Sequence, residues 1–217
     1  MHPPWPVDLV LFDLDGTLVD SQLDVTNAIN HALTSLGRPI IAPDRLFATV
    51  WDGIQKTFEK LLDPMDGSAC ERAVALYREY YADHLLDHTR TYPRVPEALA
   101  ALTGKILAVV SNKREIPVLH ILEGVGIAEY FEAVIGGDSL PTHKPDPEPI
   151  LHLLNRFGTP PDRALIVGDS PHDIEAGKRA GIRTCAVTYG FHPLSQLRES
   201  GADRLIDDIG ELSRLIR

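Results

Sequence analysis

The stretch "VLFDLDGTLVDS", residues 10–21, decides how the rest of the chain is read. Leu9, Val10, Leu11 and Phe12 form an apolar run with the look of a buried strand, and the run ends in Asp13, then Asp15, with Asp20 close behind. Carboxylates are costly to take out of water unless something offsets their charge. A strand that ends in clustered acids therefore asks for a partner, either a cation or cationic side chains brought from elsewhere in the chain.

Further runs of the same character follow. "KILAVVS" (105–111), "AVIGG" (133–137), "ALIVGD" (164–169) and "TCAVT" (184–188) read as buried strands, with a weaker one at "DRLI" (203–206). Amphipathic segments separate them, such as the one carrying Ile150, Leu151, Leu153, Leu154 and Phe157. Strands alternating with helices imply βαβ crossovers, a parallel sheet and an α/β fold.

Residues 21–89 differ, with three helical stripes and no strand between them. The first stripe is Val25, Ala28, Ile29, Ala32, Leu33 and Leu36, closed by Gly37. The second is Leu46, Val50, Ile54, Phe58 and Leu61. The third is Ala73, Tyr77, Tyr80, Tyr81 and Leu85. This pattern predicts an all-helical cap (21–89) inserted into an α/β core (1–20 and 90–217), with the return crossing near "HTRTYPRV" (88–95), where Pro93 and Pro96 punctuate the chain.

Composition narrows the function. The chain has 217 residues and a formal net charge of −10, which argues against a general nucleic-acid or membrane-surface binder but leaves room for a small phosphorylated ligand. No window approaches the length of an apolar membrane span, and "MHPPWPVD" lacks the basic start of a signal peptide, so the expected location is the cytoplasm. Cys70 and Cys185 lack zinc-type spacing, and Cys185 reads as core. Oligomeric state is left open.

Four polar clusters stand at strand ends or in loops: Asp13, Asp15 and Thr17; Ser111, Asn112 and Lys113; Lys144 in the proline-rich "PTHKPDPEPI" (141–150); and Asp169, Ser170 and Asp173. Each has a plainer explanation. "DG" is a common turn signal, Ser111 or Asn112 could cap a helix, and Lys144 could be an exposed loop lysine. "SPHD" makes a capping box with proline at the first helical position, which accounts for Ser170 and Asp173 but not Asp169. In an open parallel sheet, however, ligands bind beyond the carboxyl ends of the strands, so all four clusters would face one crevice. Asp13, Asp15 and Asp169 offer the hard oxygen ligands that suit Mg²⁺, Lys144 a second positive charge, and Ser111 with nearby N–H groups a hold on phosphate oxygens.

These clusters, in this order, resemble the motifs of the haloacid dehalogenase superfamily of aspartate-nucleophile phosphotransferases. The finer wording, "FDLDGTLVDS", "SNK", "YFEAVIGGDSLPTHKPDPEPIL", "VGDSPHDIEAGKRAGI" and "VTYGF", is similar to its phosphoglycolate phosphatase-like subfamily. The resemblance implies a Rossmann-like parallel sheet core with a helical cap between the first two motifs. It implies that Asp13 is the nucleophile that forms an aspartyl-phosphate, and that Asp15 is the general acid and base. It further implies phosphate binding by Thr17, Ser111, Asn112 and Lys144. Mg²⁺ would be held by Asp13, the Asp15 main-chain carbonyl and Asp169, with Asp173 and Ser170 behind them. Specificity would come from the cap; Arg45 and Lys56 could meet a substrate carboxylate there, but each reads first as an ordinary solvated helix charge and neither is counted among the site residues. The expected activity is Mg²⁺-dependent hydrolysis of a phosphomonoester, first 2-phosphoglycolate. Open alternatives are a sugar phosphate, a nucleoside monophosphate or pyrophosphate as substrate, a phosphomutase, or a non-catalytic binding member of the same scaffold.

Overall fold

The structure is a computed structural model, and it describes residues 3–43, 46, 53–62 and 67–217. The chain divides into two compact units, Met1–Asp20 with Thr91–Arg217, and Ser21–Arg90.

The first unit is built on a six-stranded, all-parallel sheet. Its strands are β1 (Leu9–Phe12), β4 (Ile106–Val110), β5 (Ala133–Ile135), β6 (Ala164–Gly168), β7 (Arg183–Val187) and β8 (Arg204–Ile206), in the spatial order β5-β4-β1-β6-β7-β8. Two short strands, β2 (Val19–Asp20) and β3 (Arg90–Thr91), pair separately. Every residue of β1 and of β6 is buried, as befits central strands covered on both faces. On one face Leu9, Leu11, Val110 and Ile166 pack with Ile150 and Leu153 of the helix Glu148–Phe157 and with Ala176 of the helix Pro171–Arg179. Phe12, on the other, meets Phe131 edge to face at 6.2 Å. The expected parallel α/β core is present, and the strands fall within about two residues of where the apolar runs put them.

The strand order positions the site. The chain runs outward from β1 through β4 to β5, then crosses back to β6 on the other side of β1 and continues outward to β8. Such a reversal opens a crevice at the carboxyl ends of the strands flanking it. Phe12 is aligned with Val109 of β4 and Val167 of β6, so Asp13 emerges between two strand ends.

The second unit is helical: α1 (Gln22–Ser35), α2 (Ile54–Leu61) and α3 (Gly67–His84) among the described residues. Ala28, Ile29, Ala32 and Leu33 of α1 are buried, as are Phe58 of α2 and Ala73, Tyr77 and Tyr81 of α3. Gly37, two residues beyond α1, has φ +68°, the left-handed conformation that glycine adopts without strain. In the second stripe Leu46 is buried, while Val50 lies outside the described residues, as does Arg45. Tyr80 is half-buried, its ring stacked between His31 at 4.3 Å and His84 at 4.1 Å. Asp24, on α1, is buried and accepts hydrogen bonds from the backbone N–H groups of His88 and Thr89, from the Thr89 hydroxyl and from His88 Nδ1. No described helix is long and apolar enough to cross a membrane.

Candidate active site

Asp13 continues β1 by one residue, its N–H donating to the Val167 carbonyl at 2.9 Å. The chain then turns tightly. Gly16, at φ +84°, donates its N–H to the Val19 carbonyl at 2.9 Å, and the N–H of Leu18 reaches the Leu14 carbonyl. Gly16 is required on two grounds: its φ is in the left-handed region, and a Cβ there would overlap the Asp169 carboxylate. The first acidic motif and the fourth are thus in direct contact.

The carboxylates of Asp13, Asp169 and Asp173 converge, with ligand atoms all within 4.8 Å of one another, and all three residues are buried. Lys144 enters among them. Its ammonium donates to Asp13 Oδ1 at 2.8 Å, Asp173 Oδ1 at 2.6 Å and the Val110 carbonyl at 2.5 Å, which uses all three of its protons. Lys144 is therefore a buried structural cation rather than an exposed loop lysine. Burial alone would pull its proton affinity down, but Asp13 and Asp173 outweigh that and hold it above the ordinary lysine value. One ammonium does not neutralise three acids. Burial raises Asp13 well above the usual carboxylate range; Lys144 opposes the rise, and Asp173 and Asp169 add to it. Burial likewise raises Asp169, with His192 opposing and Asp173 adding. Excess negative charge among buried oxygen donors is the setting into which a hard divalent cation fits.

Asp173 serves two structures at once. Its Oδ2 accepts from the Ser170 N–H at 3.0 Å and hydroxyl at 2.6 Å, and its own N–H reaches Ser170 Oγ, forming the expected capping box with Pro171 behind it. Its Oδ1 holds Lys144. Asp169 is held from the far side: the Phe191 N–H donates to its Oδ2 at 2.7 Å, and His192 Nδ1 lies 3.7 Å from the same oxygen. Sequence reasoning gave Phe191 and His192 no part. The available signal was Gly190, a glycine just past a strand end, where backbones often approach closely.

The second cluster caps no helix, since the following helix, Glu115–Gly124, begins at Arg114 without a side-chain cap. Ser111 is buried, and its Oγ accepts from the Lys113 N–H at 3.2 Å, leaving the hydroxyl proton to donate. Asn112 donates its amide to the Lys144 carbonyl at 2.8 Å and so ties the β4 end to the Lys144 loop. Asn112 Oδ1 and Thr17 Oγ1 are buried without a hydrogen-bond partner among the described residues. Asp15 stands apart from the acidic trio, its Oδ1 paired with Lys113 Nζ at 2.8 Å. That pair was not anticipated from the sequence.

A doubly wound parallel sheet with a buried acid trio and lysine at its strand-order reversal, and a helical insertion after the first strand, defines a Rossmann-like α/β core with an inserted helical domain. A family model described as haloacid dehalogenase-like hydrolase matches residues 10–187. The chain belongs to that family. It is 37% identical to the phosphoglycolate phosphatase of Nitrosospira multiformis, with 100% of this chain and 99% of that protein aligned. It is also 37% identical to the phosphoglycolate phosphatase of Chromobacterium violaceum over 97% of each. Among solved structures, it superposes on a crystal structure of a predicted phosphoglycolate phosphatase from Haemophilus somnus with a TM-score of 0.92 and 33% identity, covering 97% of this chain and 98% of that one.

Proposed function

We propose that this protein is a Mg²⁺-dependent phosphomonoester hydrolase, with 2-phosphoglycolate as its substrate. The observation that carries the reading is the convergence of Asp13, Asp169 and Asp173 within 4.8 Å at the carboxyl end of the sheet, with Lys144 bridging two of them. Full-length relatives named phosphoglycolate phosphatase support the choice of substrate.

In this reading Asp13, the Asp15 main-chain carbonyl and Asp169 would hold Mg²⁺, which when bound neutralises the clustered acids and the phosphate charge. An Asp13 carboxylate oxygen attacks phosphorus as the bond to the leaving oxygen breaks, and Asp15 gives that oxygen its proton. Asp15 then takes a proton from water. The water oxygen bonds to phosphorus, and the bond to Asp13 breaks, restoring the enzyme. Ser111 donates its hydroxyl to a phosphate oxygen. Lys144, its protons committed to Asp13, Asp173 and Val110, acts by charge and by fixing Asp13. Thr17 and Asn112 line the phosphate site, and Asp173 with Ser170 keep Lys144 in place. Two buried free cysteines, Cys70 and Cys185, suit a reducing cytoplasm, and burial pushes the Cys185 thiol up to about 12, so that it stays neutral core.

The test is phosphate release from 2-phosphoglycolate, hexose phosphates, nucleoside monophosphates and pyrophosphate, with MgCl₂ and with chelator. The expected result is release that needs Mg²⁺, is lost in Asp13→Asn, and has its highest kcat/KM on 2-phosphoglycolate. Full turnover by Asp13→Asn would overturn the chemistry. A higher kcat/KM on another phosphate would overturn the substrate.

A further inference from the structure

The turn that follows β7, "TYGFH" (188–192), has no part in the chemistry above, yet it touches two of the segments that carry it. Tyr189 donates its hydroxyl to the Thr17 carbonyl at 2.8 Å. Its ring packs against Tyr92 at 4.7 Å, and the Tyr92 N–H reaches the neighbouring Leu18 carbonyl at 3.0 Å. Two residues on, the Phe191 N–H donates to Asp169 Oδ2 at 2.7 Å. Between them, Gly190 lies so close that a Cβ would overlap both the Asp169 side chain and the Gly16 carbonyl. Asp169 is therefore enclosed by two glycines, Gly16 on the first-motif turn and Gly190 on this one. Gly190 is not in the left-handed region, so its requirement is for space and not for backbone conformation.

We propose that the Tyr189–Phe191 turn is a positioning device that sets the Asp169 carboxylate against the Asp15–Leu18 turn. It grips Asp169 through one oxygen, leaving the other for a cation, and it holds the Thr17 carbonyl two residues beyond the proposed main-chain ligand, Asp15. A ligand oxygen whose rotation is blocked by its surroundings is organised before the ion arrives, and partners that orient ligands in this way contribute strongly to affinity. The inference rests on the metal reading above and names residues outside it.

The experiment uses the full chain, stripped of metal, titrated with MgCl₂ by calorimetry, with kcat and KM measured in parallel. Gly190→Ala is expected to weaken Mg²⁺ binding about 10–100-fold, the usual cost of disturbing a group that orients a ligand. Tyr189→Phe keeps the ring and fold and removes one neutral hydrogen bond, for an expected loss of about fivefold. Asp169→Asn is the reference that removes the ligand itself. If Asp169→Asn loses Mg²⁺ while Tyr189→Phe binds it as tightly as the unaltered protein, the positioning role is overturned. The same holds if either variant lowers only the unfolding temperature. If the unaltered protein binds no Mg²⁺, or Asp169→Asn binds it equally well, the metal reading itself fails and this inference with it.

Discussion

Lys144 Nζ joins Asp13 to Asp173, at 2.8 Å and 2.6 Å, so one buried ammonium tethers the acid that ends β1 to an acid in the first turn of the helix after β6. Removing one member of a buried ion network leaves uncompensated charge, at a cost of about 3–5 kcal/mol. Lys144→Met is expected to lose about that much stability in chelator, read from urea unfolding, together with phosphate release. An unchanged unfolding midpoint would mean that the acids are neutralised without Lys144.

Asp24 on α1 makes a second buried network, with the backbone and side chains of His88 and Thr89 as donors. Burial works against its charge, but the His88 and Thr89 hydrogen bonds prevail and hold it below the usual carboxylate value. A carboxyl whose proton affinity is lower in the folded state stabilises that state above the unfolded pKa. The contribution is lost as pH falls through the folded value. Asp24→Asn turns an amide toward these donors and is expected to cost about 2–3 kcal/mol near neutral pH. Urea midpoints of variant and unaltered protein should begin to converge below about pH 4, where the unfolded carboxylate takes up its proton, and meet only once the folded carboxyl is protonated too. A gap that persists beyond that point would assign the effect to packing instead of charge.

Trp5 lies by the amino-terminal ends of β7 and β8, away from the crevice. Its N–H and carbonyl pair with Leu215 and Arg217, and its ring lies under the guanidinium groups of Arg183 and Arg204, the first residues of β7 and β8. Truncating a buried tryptophan costs about 3–5 kcal/mol, and cation–π contacts add to that. Trp5→Ala should therefore lower the unfolding midpoint markedly while leaving kcat of the folded enzyme unchanged, since the crevice lies at the other ends of the strands. A drop in kcat at a temperature where the variant is fully folded would contradict this separation of stability from chemistry.

The strands were legible because central parallel strands are apolar on both faces: "LVLF" and "ALIVG" needed no alternation to be found. The convergence of Asp13, Lys144 and Asp169 was legible from one topological rule, that strand ends face a common crevice. Asp173 was legible from the residues alone only as a cap, through the capping box; its place beside Lys144 and the metal site was legible through the family resemblance. Polar pairs between loops were not legible: Lys113 with Asp15, Tyr189 with Thr17 and Asp24 with Thr89 depend on which turns lie side by side, and no local pattern encodes that. Tyr80 fits the apolar stripe of α3 by spacing, yet it stacks between two imidazoles, because an aromatic ring satisfies periodicity whether it faces core or polar rings.

The Lys113–Asp15 pair leads to the last prediction. The side chains are 11% and 23% exposed, so the 2.8 Å contact is partly shielded from water. Asp15, in its proposed role, must present one carboxylate oxygen to the leaving group while staying aligned, and Lys113 grips Oδ1. Lys113→Met would remove this hold on the carboxylate, and kcat on 2-phosphoglycolate is expected to fall about 10–100-fold, the lower part of what a positioned acid and base contribute. Because the Asp15 side chain is outside the acid trio, Mg²⁺ affinity should stay nearly unchanged. Lys113→Arg, which keeps a charge but not the point geometry of an ammonium, should recover part of the rate. Steady-state kinetics beside a Mg²⁺ titration separate the cases: a loss of Mg²⁺ binding matching the loss of rate would move Lys113 from the acid and base to the metal site.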